Sequence, residues 1–232
     1  MKSLLKWALV LPLVASVTLV GCNKDDDDDS PAPVVNNPVE GKMLIFEETS
    51  SEADVDVKVY ADEALFVGYN RMYVMLYEAG TKNVVKNAEV MFMPEMSMMS
   101  GMNHGCPVEN PTEMEPEDGL FEGAIVYVMP SAGNGSWNLK VMVKNNGMEG
   151  SVESEVIIAA PTTPKMYSFI SPTTSEKIFV SLVEPMNPEV GVNDFEVCIH
   201  KKMGMMDWPA ATNMMVEIEP EMPTMGHGSP GN

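Results

Sequence analysis

Val55-Asp56-Val57-Lys58-Val59 alternates apolar and charged side chains at every step. A strand turns successive side chains to opposite faces, so this pattern predicts a half-buried β-strand with its valines inward. Similar β-rich runs follow at Arg71 to Tyr77, Ala88 to Met93, Leu120 to Val128, Ser136 to Val143 and Ser151 to Ile158, between clusters of Gly, Pro and Asn. Beyond the N-terminal apolar run, no segment carries apolar residues at helical spacing. Six or seven short strands in about 120 residues, with regular turn signals, predict an all-β fold, an immunoglobulin-like β-sandwich. Trp137, between Gly135-Ser136 and Leu139-Lys140-Val141, reads as core packing on one of those strands.

The chain also repeats itself. Gly68 to Tyr77 lines up with Gly191 to His200 at an offset of 123, and Met43 to Phe46 resembles Met166 to Phe169. Pro94-Glu95-Met96 returns as Pro220-Glu221-Met222, and Met102-Asn103-His104-Gly105 as Met225-Gly226-His227-Gly228. A unit therefore runs over 42–162 and restarts at 163. The first unit continues for 58 residues past His104, the second for five past His227. The expectation is one complete sandwich and a truncated second copy over 163–232, with counterparts of the first three or four strands. Half a sandwich exposes its inner face, so that segment is expected to be incompletely folded, or to rely on the first domain or another chain.

The N-terminus reads as an address. Lys2 and Lys6 flank an apolar run from Trp7 to Val20 that ends in Leu19-Val20-Gly21-Cys22. This resembles a lipoprotein signal peptide over 1–21 with its lipobox, which implies cleavage before Cys22 and lipidation of that residue. Residues 22–41 then form a tether: Asp25 to Asp29 repel one another, and Pro31, Pro33 and Pro38 keep the chain extended. An acidic run just after the lipidated Cys resembles the signal that sends some Gram-negative lipoproteins to the outer face of the outer membrane. The expected location is the outer membrane, periplasmic face or cell surface, with the membrane as a partner through the Cys22 anchor. Cys106 and Cys198 then lie in a compartment that permits disulfides, although in different repeats.

Composition narrows the functional classes. The 232 residues carry 34 Asp and Glu against 14 Lys and Arg, a formal charge of -20 that repels phosphate and excludes a nucleic-acid partner. Methionine numbers 23, more than Phe, Trp and Tyr together. Six of these fall in Met91 to Cys106, a stretch of sixteen residues that also holds His104 and Cys106. Thioether and thiolate favour Cu(I), and imidazole suits copper too, so Cu(I) is the one cofactor these donors point to. The candidate ligands are Met96, Met102 and His104, with Met129 at a strand end and Met222, Met225 and His227 at the recurring positions. The competing reading is packing: Met fills irregular gaps, and Met91 and Met93 at strand spacing are expected to be buried or sheet-facing without metal.

The same residues carry a resemblance. Pro94, Met96, Met102, His104 and Gly105, then Phe121-Glu122-Gly123, Val128-Met129-Pro130 and Gly135-Ser136-Trp137-Asn138-Leu139, resemble the YtkA-like and FixH-like domains over about residues 60 to 145 and part of the second unit. The resemblance implies a small extracytoplasmic β-sandwich with a binding or accessory role in copper handling or oxidase assembly. Cys106 has no match in the second unit, where Ser229 lies nearby, so a thiolate is not required in both.

Three weaker readings remain. Glu196, Cys198 and His200 share a strand face but align with Tyr73, Met75 and Tyr77, and read as sheet surface. Met203, Met205, Met206 and Trp208 occupy a hairpin loop three residues longer than its partner and read as an apolar contact patch. A blue-copper site needs two His and a Cys, and the first unit has only His104. No Gly-x-Ser-x-Gly elbow, phosphate loop, His-Glu-x-x-His or spaced Cys-x-x-Cys pair occurs, so no catalysis is expected. The alternative to copper binding is a metal-free immunoglobulin-like surface module that contacts a protein or glycan.

Overall fold

A computed structural model describes residues 37–131, 133, 135–212, 214–218, 221, 222 and 226–228. Its strands, in chain order, are β1 (Met43–Ser50), β2 (Val55–Ala61), β3 (Gly68–Glu78), β4 (Val84–Val85), β5 (Glu89–Met98), β6 (Asn103–His104), β7 (Val108–Glu109), β8 (Leu120–Tyr127), β9 (Gly135–Asn145) and β10 (Met148–Val156). Then come β11 (Met166–Ile170), β12 (Lys177–Glu184), β13 (Glu196–Lys202), β14 (Glu221–Met222) and β15 (His227–Gly228). Among the described residues there is no helix, and so none long and apolar enough to cross a membrane. The signal peptide, Cys22 and most of the tether lie outside the described residues.

In the first unit, β1–β2–β3–β8–β7 form one sheet with β4 added on β3, and β10–β9–β5–β6 form a second. The named strands pair antiparallel throughout. Period-2 alternation decides what lies between the sheets. Val55, Val57 and Val59 from the first and Trp137, Leu139 and Val141 from the second are fully buried in one shared core, the layout of a β-sandwich. Burying each such valine is worth about 1.5–3 kcal/mol before conformational entropy is counted. On β5 the inward residues are Val90 and Phe92. Met91 and Met93, expected to be buried or sheet-facing, turn to the outer face of the sheet, 47% and 45% exposed.

The two edges of the four-stranded sheet are both approached closely. At β10, a Cβ on Gly150 would collide with Ser50 Oγ and the Ala53 amide nitrogen. At β6, the Gly105 N–H donates to the Met205 carbonyl at 2.9 Å, and a Cβ on Gly105 would lie 3.3 Å from Met206 Cε.

Strands β11 to β13 follow the order and register of β1 to β3. The pair Val59↔Val74 becomes Leu182↔Val197, and Val55↔Glu78 becomes Ile178↔Lys201, each partner shifted by 123. The entry to the third strand recurs in atomic detail. Asn70 accepts from the Phe66 N–H at 3.0 Å and donates to the carbonyls of Phe66 and Gly68 at 2.9 and 2.8 Å. Asn193 accepts from the Glu189 N–H at 2.9 Å and donates to the carbonyls of Glu189 and Gly191 at 2.9 and 3.2 Å. Gly68 and Gly191 have φ of +139° and +136°, a region that side chains rarely enter, which explains why both copies hold glycine there.

The meander rests against the first unit. On β12, Phe179, Ser181 and Val183 are buried on one face. Arg71 forms an ion pair with Glu184 at 2.7 Å, and the 203–208 loop lies along Gly105 as described above. The opposite face, whose first-unit counterparts make the sandwich core, stays open: Phe169 is 49% exposed where Phe46 is buried, and Phe195 is 53% exposed where Met72 is fully buried.

Candidate functional site

β6 is a two-residue strand, and it places His104 beside Met96 of β5. The turn that returns the chain is closed by the Met98 N–H donating to the Met102 carbonyl at 2.9 Å. His104 is 4% exposed. Its Nδ1 lies 2.8 Å from the Gly105 carbonyl oxygen and its Nε2 lies 3.1 Å from Met129 Sδ. A carbonyl only accepts, so Nδ1 donates to Gly105, and in the neutral ring this leaves the Nε2 lone pair on the side of the thioether. A histidine whose outer nitrogen is tied to a carbonyl and whose inner nitrogen faces a second soft donor has the arrangement of a metal ligand with its supporting contact.

Trp137 holds both members in place. Its indole N–H donates to the Met129 carbonyl at 3.0 Å, and its ring meets the His104 ring edge-on, centroids 5.3 Å apart. Tyr127 meets the same indole edge-on as well, centroids 5.0 Å apart. Trp137 is fully buried, so it orients the pair from the core side and offers no ligand-stacking face.

The outer side of the pair is a cavity of about 290 Å³ that also takes in Met98 and Met102, and Met166 and Met205 from the second unit. Bond lengths of about 2.0 Å to imidazole nitrogen and about 2.3 Å to sulfur put two such donors on one ion about 3.1 to 3.7 Å apart, for angles of about 90° to 120°. The observed 3.1 Å separation falls within that span. Among the described residues, no three His, Cys, Asp or Glu side chains converge as a metal-binding group. The donors gathered here are one imidazole and thioethers, a set that suits a soft monovalent ion and not a hard divalent one.

The sequence-derived ligand set is only partly assembled. Met102, 54% exposed, lines the cavity with His104 and Met129. Met96 does not: it is fully buried in the sandwich core, because the alternation that sends Val90 and Phe92 inward continues to residue 96. Cys106 is likewise a core residue, and burial pushes its thiol well up, away from the thiolate that a metal would take. In the second unit the main chains of Met222 and His227 pair across β14 and β15 as Met96 and His104 pair across β5 and β6. Their side chains, and all of Met225, lie outside what is described.

No family model, curated protein or solved structure matches the chain. The site therefore stands on its own geometry.

Sequence reasoning missed Met98, Met166 and Met205. Met205 carried a signal, since it lay in the loop read as an apolar contact patch, and that patch contacts the first unit. Along the face of Glu196, Cys198 and His200, which read as sheet surface, exposure falls from an exposed Glu196 through a half-buried Cys198 to a buried His200. His200 is 5% exposed and its Nδ1 has no hydrogen-bond partner. Burial lowers the pKa of the imidazole, partly offset by Glu109 of β7. Burial, aided by the same Glu109, pushes the Cys198 thiol up to about 12. Both Cys106 and Cys198 are free thiols.

Proposed function

We propose that this chain is an outer-membrane-anchored lipoprotein whose YtkA-like, immunoglobulin-like β-sandwich binds Cu(I) through His104, Met129 and Met102 as a metal-handling accessory protein. The observation that carries the reading is the 3.1 Å approach of His104 Nε2 to Met129 Sδ, with Nδ1 already committed to the Gly105 carbonyl. In the neutral ring that approach turns an imidazole lone pair toward a thioether sulfur, a pair of donors that one electrophile can share, and the surrounding thioethers favour a soft one. Cys22 at the end of an apolar run supports the lipid anchor, and the acidic stretch from Asp25 to Asp29 supports an outer-membrane address. The recurring strand register, the Asn70 and Asn193 loops and the paired Met–His hairpins support reading 163–232 as an incomplete second copy.

Competition titration of the purified full chain with a Cu(I) chelator under reducing conditions tests this. Wild type is expected to bind one Cu(I) tightly, with His104→Ala and Met129→Leu each weakening binding at least tenfold at unchanged fold, and Met102→Leu weakening it less because that side chain is half exposed. Absence of Cu(I) binding by wild type would sink the reading. A second reading then takes over, a metal-free module that contacts a protein or glycan. It is favoured by the open face of β11–β13, where Phe169 and Phe195 are half exposed.

A further inference from the structure

We infer that the second unit completes the Cu(I) site: Met205 and Met166 are ligand positions, and the bound ion clamps β11 and the 203–208 loop onto the first sandwich. The inference rests on the copper reading above and goes beyond it, because that reading needs donors from the first unit alone.

Met205 is the better placed of the two. Its carbonyl accepts the Gly105 N–H at 2.9 Å and the Trp208 indole N–H at 3.3 Å, so the residue is pinned from two sides directly beside His104. Its side chain opens into the same cavity as His104 and Met129. Met166 begins β11, where its pairing with Ser181 on β12 fixes its height, and it lines the cavity together with His104 and Met129. A soft monovalent ion favours thioether and imidazole donors, and His104 with Met129 and the half-exposed Met102 leaves one side of it to be covered. Thioethers from both units shut that side.

The cavity is also lined by Lys177 and Lys202, whose charges oppose any cation and select for the lower charge. Each ammonium is held over an aromatic ring, Lys177 at 5.2 Å from the Phe179 centroid and Lys202 at 5.1 Å from that of Trp208. Coulomb repulsion scales with the ion's charge, so these groups penalise a divalent ion twice as strongly as Cu(I).

Clamping follows from linkage. An ion that needs donors from both units binds only the docked arrangement, and at 100 times its dissociation constant it favours docking by about 100-fold.

The test uses the full chain under reducing conditions, with Cu(I) and, separately, Zn(II), and reads both chelator-competition affinity and hydrogen exchange over 163–212. Met205→Leu, Met166→Leu and the double variant keep side-chain volume and remove the sulfur. The inference expects each single variant to lower Cu(I) affinity about tenfold and Cu(I) to slow exchange in β11–β13 of wild type by at least tenfold, with the slowing lost in the double variant and not produced by Zn(II). If wild type binds Cu(I) but affinity is unchanged in both variants and exchange in β11–β13 does not respond, the inference is overturned while the copper reading stands. If wild type binds no Cu(I), both fall.

Discussion

In β2 the fully buried side chains are Val55, Val57 and Val59, with Asp56 and Lys58 turned toward solvent. In β12, at the same place in the second meander, Phe179, Ser181 and Val183 are buried while Val180 and Leu182 remain half open. Apart from Ile178 at its start, β12 has reversed which face it hides. The backbone register is unchanged, so the reversal comes from side chains at alternate positions: Phe179 stands where Asp56 would be, and Val183 where Tyr60 would be. The parity of apolar residues on one strand thus decides whether it builds a core or a docking surface.

The sharpest way to break this comparison is to cut matched residues on the two core faces. Leu76→Ala empties a fully buried position and is expected to cost about 2–5 kcal/mol, whereas Ile199→Ala, its half-open counterpart, is expected to cost less than about 2 kcal/mol. Urea unfolding of the full chain measures both; equal losses would mean that the second face is covered in solution. Next in size are the two asparagine loops. Asn70→Ala strips buried backbone groups of their partner and is expected to cost about 1–3 kcal/mol, while Asn193→Ala on the exposed copy stays within about 0.5 kcal/mol.

The acid response separates the units further. His200 has a pKa lowered by burial, so the unfolded or undocked state takes up its proton first. Its contribution to docking is present in full above the free value of about 6.5 and is lost as pH falls below it toward the lowered folded value. Hydrogen-exchange protection in β12 and β13, taken relative to the intrinsic exchange rate at each pH, is expected to fall from pH 7.5 to 5.5 more than in β2 and β3, and His200→Gln is expected to flatten that difference. The smallest effect belongs to Arg71 and Glu184, a pair too exposed to be worth more than about 0–1 kcal/mol. Arg71→Ala should shift stability within that range, and less in high salt.

Most of the sandwich was legible because alternation is a local property. The runs around Val57, Val74, Phe92, Phe121, Val141 and Val152 all fall on strands, and the turn residues between them punctuate the chain where it turns. The two-residue strands β4, β6 and β7 were not legible, since no periodicity can be read over two positions. The site was legible only in part for a similar reason. His104 and Met129 lie 25 positions apart and meet because β6 and the end of β8 converge on Trp137, which no spacing rule encodes. Met96 was misassigned because a motif of soft donors was read without continuing the parity of β5 through it. The donors at Met166 and Met205 depend on how β12 docks, and that turns on the exchanged parity of a single strand.

Gly105 and Gly150 lie on opposite borders of the four-stranded sheet, one covered by the 203–206 backbone and the other by the crossing of β1. Open strand borders are where separate chains stack edge to edge into fibrils, and both are blocked here by main chain from the same molecule. A bulkier residue at Gly150 would collide with Ser50 and the Ala53 main chain, push that cover away and leave a bare row of amides. Its signature would be concentration-dependent aggregation, arising before any loss of the core.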